Sequence, residues 1–244
     1  MIKIYNGDCL EIMSKIQDKS MDAIITDPPY GTTACKWDSV IPFEPMWKQL
    51  KRIIKPNGAI VLFGSEPFSS ALRMSNIKMY KYDWIYYKSL ATGFLNAKNQ
   101  PLRNHELISV FYNTQCTYNP HKTAGKPYKK IRGKTKEQSI TNDPARIIGY
   151  QTINKGDRYP LTVMQKWNVE TGFHPTQKPI ALMEYLIKTY TNENETVLDF
   201  TMGSGTTLIA CKKTNRNGIG IEQDKKYCEI AIERLKNETS HLTA

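Results

Sequence analysis

Residues 196–224 run TVLDFTMGSGTTLIACKKTNRNGIGIEQD. A short apolar strand ends near Asp199 and Phe200, and a tight turn carries Thr201, Gly203, Ser204, Gly205 and Thr206. A helix follows, and a second strand ends at Glu222, with Gln223 beyond it. Nucleotide-binding α/β proteins use this layout: small residues let the ligand approach the backbone, and an acid at the end of the next strand accepts from two ribose hydroxyls. Asp199 and Glu222 lie 23 positions apart, close to the roughly 20 expected for that acid. The turn is not G-x-G-x-x-G, and no P-loop lysine follows it, so neither a pyrophosphate nor a triphosphate is well provided for. A ligand with a ribose and no phosphate suits it, and S-adenosylmethionine is such a ligand.

Two strands cannot make this domain, and after Glu222 only one helical stretch follows, from Lys225. The rest of the sheet is therefore expected from the N-terminal half. Candidate strands at 2–5, 22–27, 59–63, 83–87 and 107–112 join those at 196–200 and 218–222, with helical segments between most of them. Seven short apolar strands alternating with helices predict an α/β fold on a mainly parallel sheet. Strand 2–5 extends the cofactor half and brings Asp8 and Cys9 towards the ligand. Strand 22–27 lies across the switch point, where open α/β sheets bind ligands at their strand ends.

That second strand ends in an unusual corner, IITDPPYGTT at 24–33. Pro28 and Pro29 each remove a backbone N–H and fix φ, so the chain leaves the sheet rigidly with only carbonyls on offer. Asp27 adds a carboxylate and Tyr30 an aromatic face. A group bearing N–H donors and a flat ring fits such a corner.

The 40% apolar content is ordinary, no stretch approaches the ~18 apolar residues of a membrane span, and the opening MIKIYNGDCLEI has no secretion-signal pattern. These features lead to the expectation of a cytoplasmic protein. The five cysteines are scattered with no C-x-x-C spacing, which favours reduced, buried thiols over zinc or disulfides, and no metal is expected. The net charge of +11 is uneven. Between residues 118 and 170, eleven Lys and Arg face four acids, leaving +7 in about a fifth of the chain. That excess points to a polyanion such as nucleic acid, and Lys126, Lys129, Lys130 and Arg132 are assigned to phosphate contact. The region 114–172 is polar, basic and rich in Gly, Pro, Asn and Thr, and reads as an insertion. The expected organisation is a catalytic half at 1–113, the insertion, and a cofactor half at 173–244.

Five pieces in order, GDCLEIM at 7–13, TDPPYG at 26–31, HPTQKP at 174–179, DFTMGSGTT at 199–207 and GIGIEQD at 218–224, make the chain resemble the DNA amino-methyltransferases. The specific resemblance is to the circularly permuted β group. It implies a Rossmann-like methyltransferase fold with a seven-stranded sheet that includes one antiparallel strand. It also implies S-adenosylmethionine as cofactor, double-stranded DNA as substrate and the basic insertion as target-recognition segment. A cognate restriction endonuclease and a homodimer are further possibilities that it raises. His174, Thr176 and Lys178 would lie near the cofactor's methionine end or its carboxylate, and Asp8 would accept from its adenine amino group. Many relatives have Asp-Pro-Phe before the glycine turn, where this chain has Asp199-Phe200-Thr201-Met202.

The chemistry implied at the corner is methyl transfer to an exocyclic amine. Asp27 and the Pro28 carbonyl each accept one amino N–H, which favours the tetrahedral nitrogen whose lone pair attacks the methyl group. Pro29 stiffens the corner, and Tyr30 stacks on a base flipped from the duplex. Aspartate as the first residue goes with adenine-N6 in this family, with cytosine-N4 as the alternative. RNA or protein amide substrates, and a silent DNA-binding module, are further readings. Near the corner, Trp37 and Asp38 are candidates for gating the pocket, and His105 for pairing with Glu106 or Arg103.

Overall fold

The computed structural model describes residues 1–32, 38–131, 151–164, 167 and 177–240. The strands are β1 (Ile2–Asn6), β2 (Met21–Thr26), β3 (Ile54–Gly64), β4 (Tyr80–Thr92), β5 (Arg103–Phe111), β6 (Thr123–Ala124), β7 (Tyr128–Ile131), β8 (Gln151–Asn154), β9 (Asp157–Arg158), β10 (Thr196–Asp199) and β11 (Asn217–Glu222). The α-helices are α1 (Cys9–Ser14), α2 (Phe43–Ile53), α3 (Phe68–Ser75), α4 (Ile180–Tyr190), α5 (Thr206–Lys213) and α6 (Lys225–Ser240). Seven strands form one sheet in the order β1-β11-β10-β2-β3-β5-β4. Pairings from β1 through β3 are parallel, and β5 runs antiparallel to both neighbours. This is the expected α/β methyltransferase sheet, with its single antiparallel strand at β5.

Period-two alternation explains why both faces are covered. Ala23 and Ile25 on β2, with Ala59, Val61 and Phe63 on β3, pack with Leu182, Leu186 and Ile187 of α4 and Ile209 and Ala210 of α5. Ile24, Ile60 and Leu62 point the other way, into Met13 of α1, Met46, Trp47 and Leu50 of α2, and Phe68 and Leu72 of α3. Strand β3 begins earlier than the sequence suggested. Ile54 pairs with Met21, and a register shift follows before Ala59 pairs with Ala23. That irregularity accommodates Pro56, which cannot donate to a regular ladder.

The chain divides into two compact units, Met1–Asn119 with Thr162–Ala244, and Pro120–Leu161. The first holds the seven-stranded sheet. In the second, β6 pairs with β9 and β7 with β8, both antiparallel. Among the described residues, no helix is long and apolar enough to cross a membrane.

Candidate active site

The switch point lies between β10 and β2, whose C-terminal ends are stitched together by hydroxyls. Thr26 Oγ1 donates to Asp199 Oδ1 and lies 2.7 Å from Thr201 Oγ1, and Thr201 Oγ1 lies 3.1 Å from the Asp27 carbonyl oxygen. Thr207 Oγ1 donates to Asp199 Oδ2, and the Thr201 N–H donates to Oδ1 at 3.2 Å. Burial pushes the Asp199 carboxyl up to about 6, against the pull of these donors. Both oxygens of Asp199 are engaged inside the protein, so the residue shapes the junction. Phe200 is fully buried among the side chains facing α1–α3.

The glycine turn follows. Gly203 and Gly205 adopt φ of +52° and +80°, a region that favours glycine. The Gly203 N–H donates to Glu222 Oε2 at 3.0 Å, and the Asp224 N–H to Oε1 at 2.9 Å. Burial raises the Glu222 carboxyl, while these backbone donors oppose the shift. From the other side, buried Arg234 of α6 donates to the Ser204 carbonyl at 2.6 Å, Ser204 Oγ at 2.9 Å and Thr206 Oγ1 at 3.3 Å. Asn6 Nδ2 holds the carbonyls of Glu222 and Gln223 at 2.9 and 3.0 Å. Asp8 caps α1, its Oδ1 accepting from the Leu10 and Glu11 N–H groups. Cys9 is half-buried, and burial pushes its thiol up to about 12. Side-chain acids at Asp8 and Glu222 around a glycine turn suit a ribose diol, an adenine amine and a cationic sulfonium. The arrangement fits S-adenosylmethionine.

The Asp27 corner holds a cluster of paired charges. Asp27 Oδ1 accepts from the Tyr30 hydroxyl and Oδ2 from Lys178 Nζ. Lys178 also lies 3.2 Å from Glu106 Oε2, while Lys88 reaches Glu106 Oε1 at 3.3 Å. Burial and the Glu106 charge push Asp27 above the ordinary carboxylate range, with Lys178 opposing. Burial pulls Lys178 down, but the two carboxylates overcome it and hold it firmly protonated. Burial likewise raises Glu106, and its two lysines outweigh that, leaving it lowered. The Tyr30 ring stacks on Phe68, with centroids 5.1 Å apart. Burial, and then the Asp27 charge, raise its phenol. Asp38 fixes the chain beyond the corner, accepting the N–H groups of Tyr30, Gly31 and Thr32 at 2.7, 2.8 and 2.9 Å.

The structure thus brings Asp27, Pro28, Pro29 and Tyr30 to the switch point, with the glycine turn on the neighbouring strand end. It places the Lys178 ammonium on Asp27, where the resemblance had suggested the cofactor's methionine end. Arg132, His174, Thr176 and Trp37 lie outside the described residues. Lys126, Lys129 and Lys130 are exposed, the last two on β7. The expected pairing of His105 with Glu106 is corrected: adjacent strand residues point to opposite faces, and Glu106 pairs with lysines. Arg103 donates instead to Ser65 Oγ. Sequence reading missed Glu106, Lys88 and Arg234 as site-shaping groups. An acid immediately before the apolar run Leu107–Phe111 of β5 was the available signal for Glu106. Among the described residues, no His, Cys, Asp and Glu cluster could hold a metal.

A strand-end Asp-Pro-Pro-Tyr corner beside an acid-flanked glycine turn is the site of an amino-methyltransferase, and comparison with known proteins places the chain in that class. The DNA methylase family N6_N4_Mtase matches residues 21–233, and the chain belongs to it as an S-adenosylmethionine-dependent DNA methyltransferase. Among curated relatives, the type II methyltransferase M.HpaI of Haemophilus parainfluenzae is 30% identical, over 97% of this chain and 74% of that one. M2.MboI of Moraxella bovis is 27% identical, over 96% and 90%. The crystal structure of the M1.HpyAVI–SAM complex aligns at TM-score 0.63 and 28% identity, covering 96% of this chain and 99% of that one. The PvuII cytosine-N4 methyltransferase aligns at TM-score 0.69 with 17% identity, covering 96% and 86%, a likeness of fold.

Proposed function

We propose that the protein transfers a methyl group to the N6 amine of an adenine flipped from double-stranded DNA at a specific sequence. Cytosine-N4 is the alternative. The observation that carries the reading is the acceptor pair at the switch point, the Asp27 carboxylate and the Pro28 carbonyl, which accepts no hydrogen bond among the described residues. S-adenosylmethionine, when bound, supplies an electrophilic methyl group. The chain's own residues do the rest. Glu222 and the 203–206 turn hold the ribose, and Asp8 is offered to the adenine amine. Asp27 and Pro28 each accept a hydrogen bond from one amino N–H, turning the nitrogen lone pair towards the methyl. His174 and Thr176 belong to the same cofactor proposal by resemblance.

The basic stretch 114–172 is proposed as the target-recognition segment, with Lys126, Lys129, Lys130 and Arg132 on phosphates. Their charge supplies salt-dependent affinity rather than sequence reading. A cognate restriction endonuclease, a homodimer and a cytoplasmic setting, prokaryotic or phage-encoded, complete the proposal. The test is transfer from labelled S-adenosylmethionine to unmethylated genomic DNA, followed by nucleoside analysis. Label in N6-methyladenine supports the reading, and label in N4-methylcytosine moves it to the alternative base. Label in RNA or protein but not in DNA overturns it.

A further inference from the structure

Four side chains of alternating charge run back from the corner: Asp27, Lys178, Glu106 and Lys88. Lys178 Nζ pairs with Asp27 Oδ2 and lies 3.2 Å from Glu106 Oε2, and Lys88 Nζ lies 3.3 Å from Glu106 Oε1. Side-chain exposure is 23%, 10%, 15% and 17% in that order. The quartet draws on four separate segments: the corner, the residues before α4, β5 and β4. We propose that Lys178 and Glu106 are positioning residues for methyl transfer. In this proposal Lys178 aims the Asp27 carboxylate, and Glu106 takes a share of the ammonium so that Asp27 stays a strong acceptor. The proposal rests on the reading of Asp27 as the amine acceptor.

Three physical points support it. First, charge burial of this kind is poor value as mere glue. Desolvating ions costs several kcal/mol each, and apolar replacements of buried pairs are often as stable. Second, a lysine paired with one carboxylate alone would compete with the substrate's N–H for the same lone pairs. Splitting the ammonium between Asp27 and Glu106 weakens that competition while keeping Asp27 ionised and oriented. Each carboxylate oxygen still has a second lone pair, so Tyr30 on Oδ1 and Lys178 on Oδ2 leave acceptor capacity for an incoming amine. Third, Lys88 restores neutrality, giving two cations and two anions. The Lys178 ammonium also lies 5.2 Å from the Phe63 ring centroid, a third attractive contact that fixes its position.

The groups facing Asp27 are Lys178 ahead of α4, Glu106 on β5, Tyr30 within the corner and Asp199 at the end of β10, while Asp38 just beyond the corner acts on Tyr30. Lys88 and Tyr86 on β4 act through Glu106 and Lys178. Removing the cation and removing the second anion must therefore move Asp27 in opposite directions. Without Lys178 its carboxyl is harder to ionise, and the acid limb of the pH–rate profile shifts up. Without the Glu106 charge it ionises more readily, and the limb shifts down.

The experiment compares Lys178→Met, Lys178→Arg and Glu106→Gln by single-turnover methyl transfer across pH, with cofactor affinity measured separately by calorimetry. The expected result for Lys178→Met is a rate about 100-fold lower, with the cofactor Kd retained and the acid limb raised by about one unit. Lys178→Arg recovers part of the rate. For Glu106→Gln the limb moves down by a similar amount. Limbs that stay put or move together overturn the proposal. So does a weakened cofactor Kd with the rate preserved at saturating cofactor, which would make Lys178 a cofactor ligand. If Lys178→Met does not fold, the near-isosteric Glu106→Gln decides by the direction of its shift. Wild-type enzyme that methylates a base amine while the limbs stay fixed sinks this proposal alone. Wild-type enzyme that methylates no DNA base sinks the functional reading beneath it.

Discussion

The corner at Asp27 and the unit Pro120–Leu161 both concentrate charge, yet they use it in opposite ways. At the corner every charge has a partner: Asp27 meets Lys178, Glu106 is shared by two lysines, and Asp38 takes three backbone N–H groups. In the second unit, Lys126, Lys129 and Lys130 are exposed on short paired strands and their margins. Its described ion pair, Lys122–Asp157, is open to solvent at 2.6 Å, where such pairs contribute little. Buried, paired charge is held in a fixed geometry, which is what chemistry needs. Exposed, unmatched charge keeps its field for a polyanion, which is what affinity needs.

Single changes break that contrast to different degrees. Asp27→Ala has the largest expected effect: single-turnover methyl transfer falls about 1,000-fold, some 4 kcal/mol, because a fixed acceptor is lost from the transition state. Cofactor calorimetry checks that binding survives.

Next comes Asp199, whose carboxyl is raised by burial from its ordinary value to about 6. A raised folded value means that stability present below the unfolded value of ~3.9 is lost as pH rises towards ~6. Urea unfolding should therefore show wild type losing about 3 kcal/mol relative to Asp199→Asn across that window. A difference that does not change with pH would contradict the assignment.

Glu222→Gln should weaken cofactor binding by about 10-fold or more, from the loss of charge-assisted hydrogen bonds. The effect is expected in Kd, with the single-turnover rate at saturating cofactor little changed. The last effect belongs to the exposed lysines and is read in the salt dependence of binding, not in catalysis or stability. Replacing Lys126, Lys129 and Lys130 together should lower the slope of log affinity against log salt by about 2.7. The gap from wild type then narrows as salt rises, and an unchanged slope would remove these residues from the DNA contact.

Much of this arrangement was legible in the sequence. The seven strands and the switch-point position of Asp27 followed from apolar runs, two breaker-rich turns and the late glycine turn. Local patterns of this kind carry backbone information because strands and turns are short-range objects. The roles of Lys178, Glu106 and Lys88 were not legible. They lie on segments separated by up to 151 positions from their partners, and only tertiary packing brings them together. Asp199 shows the same limit. Its place at a strand end suggested ligand contact, but both its oxygens are taken by the hydroxyls of Thr26 and Thr207 and the Thr201 N–H, and Thr26 lies 173 positions away in the chain. The early start of β3 escaped as well, because Pro56 and Gly58 read as breakers and a strand irregularity absorbs them.

In the proposed reaction two fixed acceptors, one carboxylate and one proline carbonyl, hold the two hydrogens of a base's exocyclic amine. A crystal structure with a cofactor analogue and a DNA duplex carrying the target sequence tests it most directly. The expected result is a flipped base whose amino nitrogen lies about 2.9 Å from both an Asp27 carboxylate oxygen and the Pro28 carbonyl oxygen. A base seated in the site with its amine turned away from Asp27, or a fully stacked duplex in the reactive complex, would contradict it.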